Sequence, residues 1–428
     1  MNQAEKIIAQ HFNKSDGKLF IQGCDCTDLA DSFGTPLFIY DASVIRGQIR
    51  KLKEALPDGF GIAYSVKANS NAAILAIFLQ ENCPLEIASI GEYQRARNAG
   101  CNPKNILFAG PGKTPTELSE VLSQGIGEIH AESFLELERI QQISSELNLT
   151  AKVAVRVNPT SEAQGGALRM GGQPAAFGID EEQLPEALSF IKAHSELEFR
   201  GIHLFSGTQI LDHQILADQY QKGIEIALKA SEFISEPIHT LDFGGGLGIP
   251  YFEQENPLDL QALKQSLNNV FENVRANPAL ADTQFLVEPG RFLVGESGIY
   301  VTRINDLKAS RGKQFAIMDG GMHHHLAASG NLGQVIKRNY PFLVLNKLNA
   351  EPLDTVELVG PLCTPLDTLG RNATLPPLEV GDLIGIFQSG AYARAASPLG
   401  FLSHPVPPEI LIDGGKAKQI SERAHYVY

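Results

Sequence analysis

From about residue 40 onward, short apolar runs alternate with longer stretches in which apolar positions recur every three to four residues. The short runs predict strands at 61–67, 85–89, 106–110, 128–133, 152–158, 200–206, 239–243 and 284–288, with helices such as 91–99 and 134–147 between them. Eight short strands alternating with helices over about 250 residues predict an α/β fold of the (β/α)8 TIM-barrel type. An open doubly wound sheet is the alternative, but no G-x-G-x-x-G follows the first strand. After residue 291 the helical spacing fades. Runs at 298–306, 314–318, 356–359 and 383–387, separated by Pro and Gly, predict a mainly β domain. Residues 19–23 and 36–40 also look strand-like. The expected division is therefore a segment 1–40 that pairs with the C-terminal β domain, a barrel over 41–291, and a β domain over 292–428 that completes the active site.

Composition narrows the class without changing this picture. A chain of 428 residues with 43% hydrophobic and 20% charged residues is globular and long enough for two domains. Its formal charge of −14 argues against nucleic acid as a partner. Five scattered cysteines do not form a disulfide framework, and no apolar run approaches membrane length. A soluble cytoplasmic protein that neither binds nor crosses a membrane is the expectation.

Candidate chemistry begins with Tyr64-Ser65-Val66-Lys67-Ala68, where a lysine ends an apolar strand. A buried ammonium is costly unless it is paired or neutralised, and one way to neutralise it is an imine with an aldehyde. The bland alternative is a lysine that reaches water, as most do. In a barrel, chemistry gathers at the C-terminal ends of the strands, with phosphate on the loops after strands seven and eight. Strand seven ends in Gly244-Gly245-Gly246, whose amides can turn toward an anion, and strand eight ends in Glu288-Pro289-Gly290-Arg291. Glu288 could be a metal ligand, a general base or the partner of a pyridine nitrogen, or it could form a salt bridge to Arg291 or Arg156. His203 and Ser206 end strand six, where they could stack on a ring and bond a phosphate oxygen, or simply pack. In the second domain, Cys363 is either a small buried hydrophobe or a reactive thiol. The run His323-His324-His325 invites a metal reading, but neighbours on an extended segment point to opposite faces and no partnered ligand set is evident, so no metal is expected.

Taken together, YSVKAN, EIASIGE, FAGPGK, RVNP, FGI, HLFSGTQ, DFGGGLG, VEPGR, DGG, GPLCTPLD and SGAY, in this order from about residue 33 to 412, resemble the fold-type III pyridoxal phosphate decarboxylases, the diaminopimelate and ornithine decarboxylase family. The resemblance implies an alanine racemase-like barrel with a β domain, pyridoxal 5'-phosphate as cofactor, and a homodimer with shared active sites. Carried over by position, Lys67 would hold the cofactor, Glu288 would pair with its ring nitrogen and His203 would stack on its face. Ser206, Gly244, Gly245, Gly246, Arg291 and Tyr392 would surround the phosphate. Cys363, with Asp367 close by, would arrive from the partner subunit and protonate the carbanion left by carbon dioxide. Arg338, Tyr340, Thr364 and Asp367 are the candidate substrate contacts.

The departures concern the substrate. Diaminopimelate decarboxylases usually carry an arginine soon after DGGM; here His323-His324-His325-Leu326 follows, with no arginine until Arg338. Cys363-Thr364-Pro365, Ser403-His404-Pro405-Val406 and Ala175-Ala176-Phe177-Gly178-Ile179 also differ from that enzyme's pattern. DGGMHHH, GPLCTP and FLSHP resemble the branch that contains the glutamyl-carrier-protein decarboxylase of butirosin biosynthesis and decarboxylases of siderophore pathways and exosortase gene clusters. The expectation is decarboxylation of a conjugated or carrier-bound amino acid, with an acyl carrier protein as candidate partner. Diaminopimelate decarboxylation of the free small molecule is the nearest alternative. An amino-acid racemase is disfavoured by Glu288, since racemases of this fold place an arginine near that nitrogen, and a non-catalytic pyridoxal phosphate carrier is disfavoured by the second domain.

Overall fold

The structure, a computed structural model, describes residues 2–160, 168–169, 172–205, 207–334 and 336–424. The chain divides into two compact units. One comprises Ile49–Ile249 and Pro257–Gly290; the other comprises Met1–Gln48, Pro250–Asn256 and Arg291–Tyr428.

The first unit is a parallel barrel. Its strands are Phe60–Ile62 continued by Tyr64–Ser65, then Leu85–Ile87, Ile106–Phe108, Glu128–Ala131, Ala151–Asn158, Leu197–Leu204, Thr240–Asp242 and Gln284–Val287. Each pairs with the next, and the eighth returns to the first through Leu286 opposite Gly61. The expected eight-stranded barrel is thus present. The helices between the strands include Ala72–Gln80, Ile90–Asn98, Pro115–Ser123, Phe134–Leu147 and Leu184–Ala193. Side-chain caps fix several of their starts: Ser89 accepts from the Glu92 amide, Ser133 from the Glu136 amide, and Thr114 forms a reciprocal box with Glu117.

Register decides which residues line the barrel's interior, because paired residues on parallel strands share a face and alternate residues on one strand share it too. Ala154 pairs with His130, Arg156 with His203, His203 with Asp242, and Asp242 with Leu286. Glu128, His130, Arg156, His203, Asp242 and Glu288 consequently share the inner face, and all are buried. Beside them on the same face, Ala63, Leu107 and Leu286 form a small apolar plug. A side chain at Gly61 would collide with Leu286, so glycine there makes room for the plug.

The second unit is mainly β. Leu37–Asp41 is its central strand, antiparallel to Gly298–Ser310 and parallel to Glu409–Asp413. Lys313–Met318, Asp354–Val359 and Thr368–Leu375 extend the sheet beyond Gly298–Ser310, and Lys416–Ser421 extends it beyond Glu409–Asp413. All five residues of Leu37–Asp41 are buried, which explains their apolar run. Ile39, Ile299, Val301, Ile410 and Ile412 join Leu19, Ile21 and Ile7 in one core.

Candidate active site

In the barrel unit, the first strand stops at Ser65 rather than at Lys67, and Val66–Ala68 forms a single 3-10 turn. Gly290 approaches so closely that a side chain on it would press on Ala68 and Ser65, which leaves no room for a further strand pair. The turn lifts Lys67 out of the packed wall. Its side chain is 43% exposed within this chain, and Nζ lies 3.1 and 3.2 Å from the two carboxylate oxygens of Glu86. The lysine is therefore paired and part-exposed at the strand end, nearer to the alternative in which it reaches water than to a desolvated charge. Glu86 is itself buried and also accepts from the Ser65 hydroxyl.

Glu288 is the hub of the ionisable layer. Its Oε2 lies 3.2 Å from His203 Nε2, and its Oε1 has no hydrogen-bond partner although it is buried. Arg156, one alternative partner read from the sequence, instead bonds Glu132 at 2.6 Å. His203 is held well below the usual histidine range by burial first and by His130 and Arg156 next, so its ring is neutral. His130 stacks on it with ring centres 4.3 Å apart. Asp242, next to both, is pushed well above the usual carboxylate range by burial and by the neighbouring Glu288. Its Oδ1 accepts the Gly244 amide at 2.8 Å. His130, His203 and Glu288 each bring one ligand-type atom within 4.8 Å of the others, a spacing that also suits a cation. Here Glu128 and Glu288 already occupy the two histidine Nε2 atoms.

The strand-seven loop is shaped by its glycines. Gly244 has φ +68, and a side chain there would strike the Leu204 carbonyl. One on Gly245 would press on the carbonyl of Glu288, so the loop and strand eight approach as only glycine permits. Gly246 also has positive φ, and its carbonyl accepts the Ile210 amide at 2.9 Å. Ser206, expected to bond a phosphate oxygen, lies outside the described residues.

The β unit gathers the remaining expected residues in two places. Arg291 donates to the Tyr251 hydroxyl at 2.9 Å and lies 4.8 Å from the ring centre of Tyr392. Tyr340 is buried with its ring 4.7 Å from Tyr251. Arg338 is half-exposed over the Phe252 ring and 3.5 Å from Glu255. On the Gly360–Asp367 loop, Cys363 is exposed and Thr364 caps the Leu366 amide. Asp367 faces inward: its two oxygens accept the amides of Met322 at 2.6 Å and Leu362 at 2.9 Å. A carboxylate used in this way fixes the loop that presents Cys363.

The three consecutive histidines are buried in the same unit. The Pro405 carbonyl accepts from His324 Nε2 at 3.0 Å, and Tyr300 bonds its Nδ1 at 3.1 Å. His325 Nδ1 accepts the Ala328 amide, so its Nε2 donates to Ser389. Burial and neighbouring histidines drive His323 down to about 3 and His324 to about 2, and burial alone drives His325 to about 3. All three are neutral near pH 7.

These donors fit a pyridine ring that carries an aldehyde and a phosphate. Lys67 offers an accessible amine, Glu288 a buried oxygen without a partner, His203 a neutral aromatic face, and Gly244–Gly246 a cradle that a side chain would fill. Sequence reasoning singled out those groups but missed Glu86, His130 and Asp242. The available signal was a period of two: Glu128 and His130 alternate with apolar residues in a strand that is otherwise a core strand.

Comparison with known proteins places the chain. Residues 42–295 match the family described as pyridoxal-dependent decarboxylase, pyridoxal binding domain. The L-glutamyl–acyl-carrier-protein decarboxylase of Niallia circulans is 36% identical over 93% of this chain and 94% of its own length. The diaminopimelate decarboxylase of Aquifex aeolicus is 31% identical over 96% of this chain and 95% of its own. The crystal structure of diaminopimelate decarboxylase from Helicobacter pylori complexed with L-lysine superposes with a TM-score of 0.83 at 30% identity, covering 93% of this chain and 96% of that one. The chain therefore belongs to the pyridoxal-dependent decarboxylases, carboxy-lyases that work with pyridoxal 5'-phosphate.

Proposed function

We propose that the enzyme removes the α-carboxylate of an amino acid whose far end is conjugated, as on an acyl carrier protein. The observation that carries this reading is the state of His323–His325. Where diaminopimelate decarboxylases place an arginine, this chain has buried histidines that are neutral near pH 7, so that run offers no cation to a distal carboxylate. The 36% identity to a decarboxylase of carrier-bound glutamate supports the same choice. Diaminopimelate decarboxylation is the second reading, favoured by several relatives near 30% identity.

Bound in the barrel, pyridoxal phosphate supplies an electron sink for the pair released when carbon dioxide departs. Lys67 would hold it through Nζ, with Glu86 orienting that amine. Glu288 would keep a proton at the ring nitrogen, and the neutral ring of His203 would cover one face without adding charge. The Gly244–Gly246 amides, Ser206, Arg291 and Tyr392 would bind the phosphate. Cys363, exposed on a loop pinned by Asp367, would deliver a proton to the α-carbon in a partner subunit, which makes the working form a homodimer with shared sites.

The test is carbon dioxide release by the purified enzyme from three substrates: meso-diaminopimelate, free L-glutamate and L-glutamate loaded on a carrier protein. Turnover of the loaded substrate alone is expected. Rapid turnover of meso-diaminopimelate would overturn the conjugate reading and establish the second one.

A further inference from the structure

The barrel holds more ionisable groups than the reaction just described requires, and one of them bears directly on Glu288. His130 lies on the fourth strand with ionisable side chains on several sides. On its own strand, Glu128 Oε1 is 3.2 Å from His130 Nε2. From the eighth strand, Glu288 Oε1 is 3.9 Å from His130 Nδ1. His203 on the sixth strand stacks on the ring, and Asp242 on the seventh is paired in register with His203. Arg156, paired with His203 across the fifth and sixth strands, is engaged by Glu132. Behind the ring, Glu128 is held by the Thr240 hydroxyl at 2.9 Å and lies 3.9 Å from Arg200. The buried Lys113 ammonium fixes the backbone by donating to the His130 carbonyl at 2.9 Å.

An imidazole flanked by carboxylates at both nitrogens is satisfied only when both nitrogens carry hydrogen. A neutral ring would turn a lone pair toward one of the two buried acceptors. Neither His130 Nδ1 nor Glu288 Oε1 has a hydrogen-bond partner, and the two atoms face each other at 3.9 Å, an ion-pair distance rather than a hydrogen bond. Of the other neighbours, His203 is neutral, and Asp242, which favours its protonated form, can donate a hydrogen bond to Glu288 but brings no positive charge.

We propose that His130 is a positioning residue for Glu288, donating toward it from Nδ1 while Glu128 holds the opposite nitrogen. The chain Thr240–Glu128–His130–Glu288 keeps the Glu288 carboxylate aimed within the buried inner face of the barrel, ready to bind a protonated ring nitrogen. This rests on the assignment of Glu288 to the cofactor nitrogen, so the experiment tests both.

The measurements are histidine side-chain 15N–1H correlation of the cofactor-free protein, and the affinity of that protein for pyridoxal phosphate followed by the cofactor's visible band across pH. Wild type is compared with His130→Asn, Glu128→Gln and Glu288→Gln. One histidine with two N–H groups is expected in wild type and absent from His130→Asn. His130→Asn should weaken cofactor affinity and kcat by about tenfold to a hundredfold and move the pH response of the band, with KM nearly constant. Glu128→Gln should act in the same direction but less, with an unchanged melting temperature separating this effect from misfolding. If Glu288→Gln shifts the band and neither His130→Asn nor Glu128→Gln does, His130 is only packing and the proposal is wrong. If Glu288→Gln itself leaves band and affinity unchanged, the assignment of Glu288 fails and takes this inference with it.

Discussion

Two groups of buried histidines in this chain have opposite surroundings. In the barrel, His130 and His203 face the carboxylates of Glu128 and Glu288. In the β unit, His324 and His325 bond a carbonyl, hydroxyls and an amide, and none of these partners is a carboxylate. Burial leaves a histidine a neutral polar core residue, as His203 is even beside Glu288; what the barrel adds is a carboxylate at a ring nitrogen. On the proposed function, the difference separates groups placed to serve chemistry from groups that hold a fold.

Replacing the carboxylate breaks the comparison most severely. Glu288→Gln should lower kcat/KM by about a thousandfold or more, because an amide does not hold a proton at a pyridine nitrogen; carbon dioxide release measures it. His203→Ala, which removes the ring but leaves Glu288, should cost roughly a hundredfold in the same assay. The opposite signature is expected of His325→Ala. Urea denaturation should show a loss of about 2–4 kcal/mol from the cavity and the lost hydrogen bonds to Ser389 and the Ala328 amide, with kcat changed only a few-fold.

The smallest effect is a slope in pH. For each of His323, His324 and His325 the folded form takes up its proton only near pH 2 to 3, whereas the unfolded chain does so near 6.5. Below 6.5 the unfolded state therefore binds more protons. The stabilisation is complete above pH 6.5 and is lost as pH falls toward 3, by about 1.4 kcal/mol per pH unit for each histidine. Denaturation midpoints at pH 7.5, 6 and 5 should show this decline, and His325→Phe should make it shallower.

Much of this was legible in the sequence, for identifiable reasons. Strands such as 152–158 and 284–288 are continuous apolar runs because both faces of a parallel barrel strand are covered, and the structure matches them within a residue or so. Lys67, Gly244–Gly246 and Glu288 stand out because each breaks such a run at its C-terminal end. His130 did not stand out, since a histidine within a strand carries no sign of what it faces; only the register opposite Ala154 reveals it. The inward turn of Asp367 was equally hidden, because an aspartate near a candidate cysteine reads the same whether it touches substrate or its own backbone. Helix starts, by contrast, were written locally, in Ser89 with Glu92 and Thr114 with Glu117.

The central strand Leu37–Asp41 has a consequence for how the protein is made. Its sheet partners are Gly298–Ser310 and Glu409–Asp413, and the first barrel strand likewise awaits Gln284–Val287. At about 5–20 residues per second, synthesis leaves the N-terminal strand without either neighbour for tens of seconds. Such long-range pairings fold slowly and expose apolar edges in the interval. A nascent chain of this design needs shielding until its last strands leave the ribosome, and truncation before residue 409 should yield aggregates rather than a smaller folded enzyme.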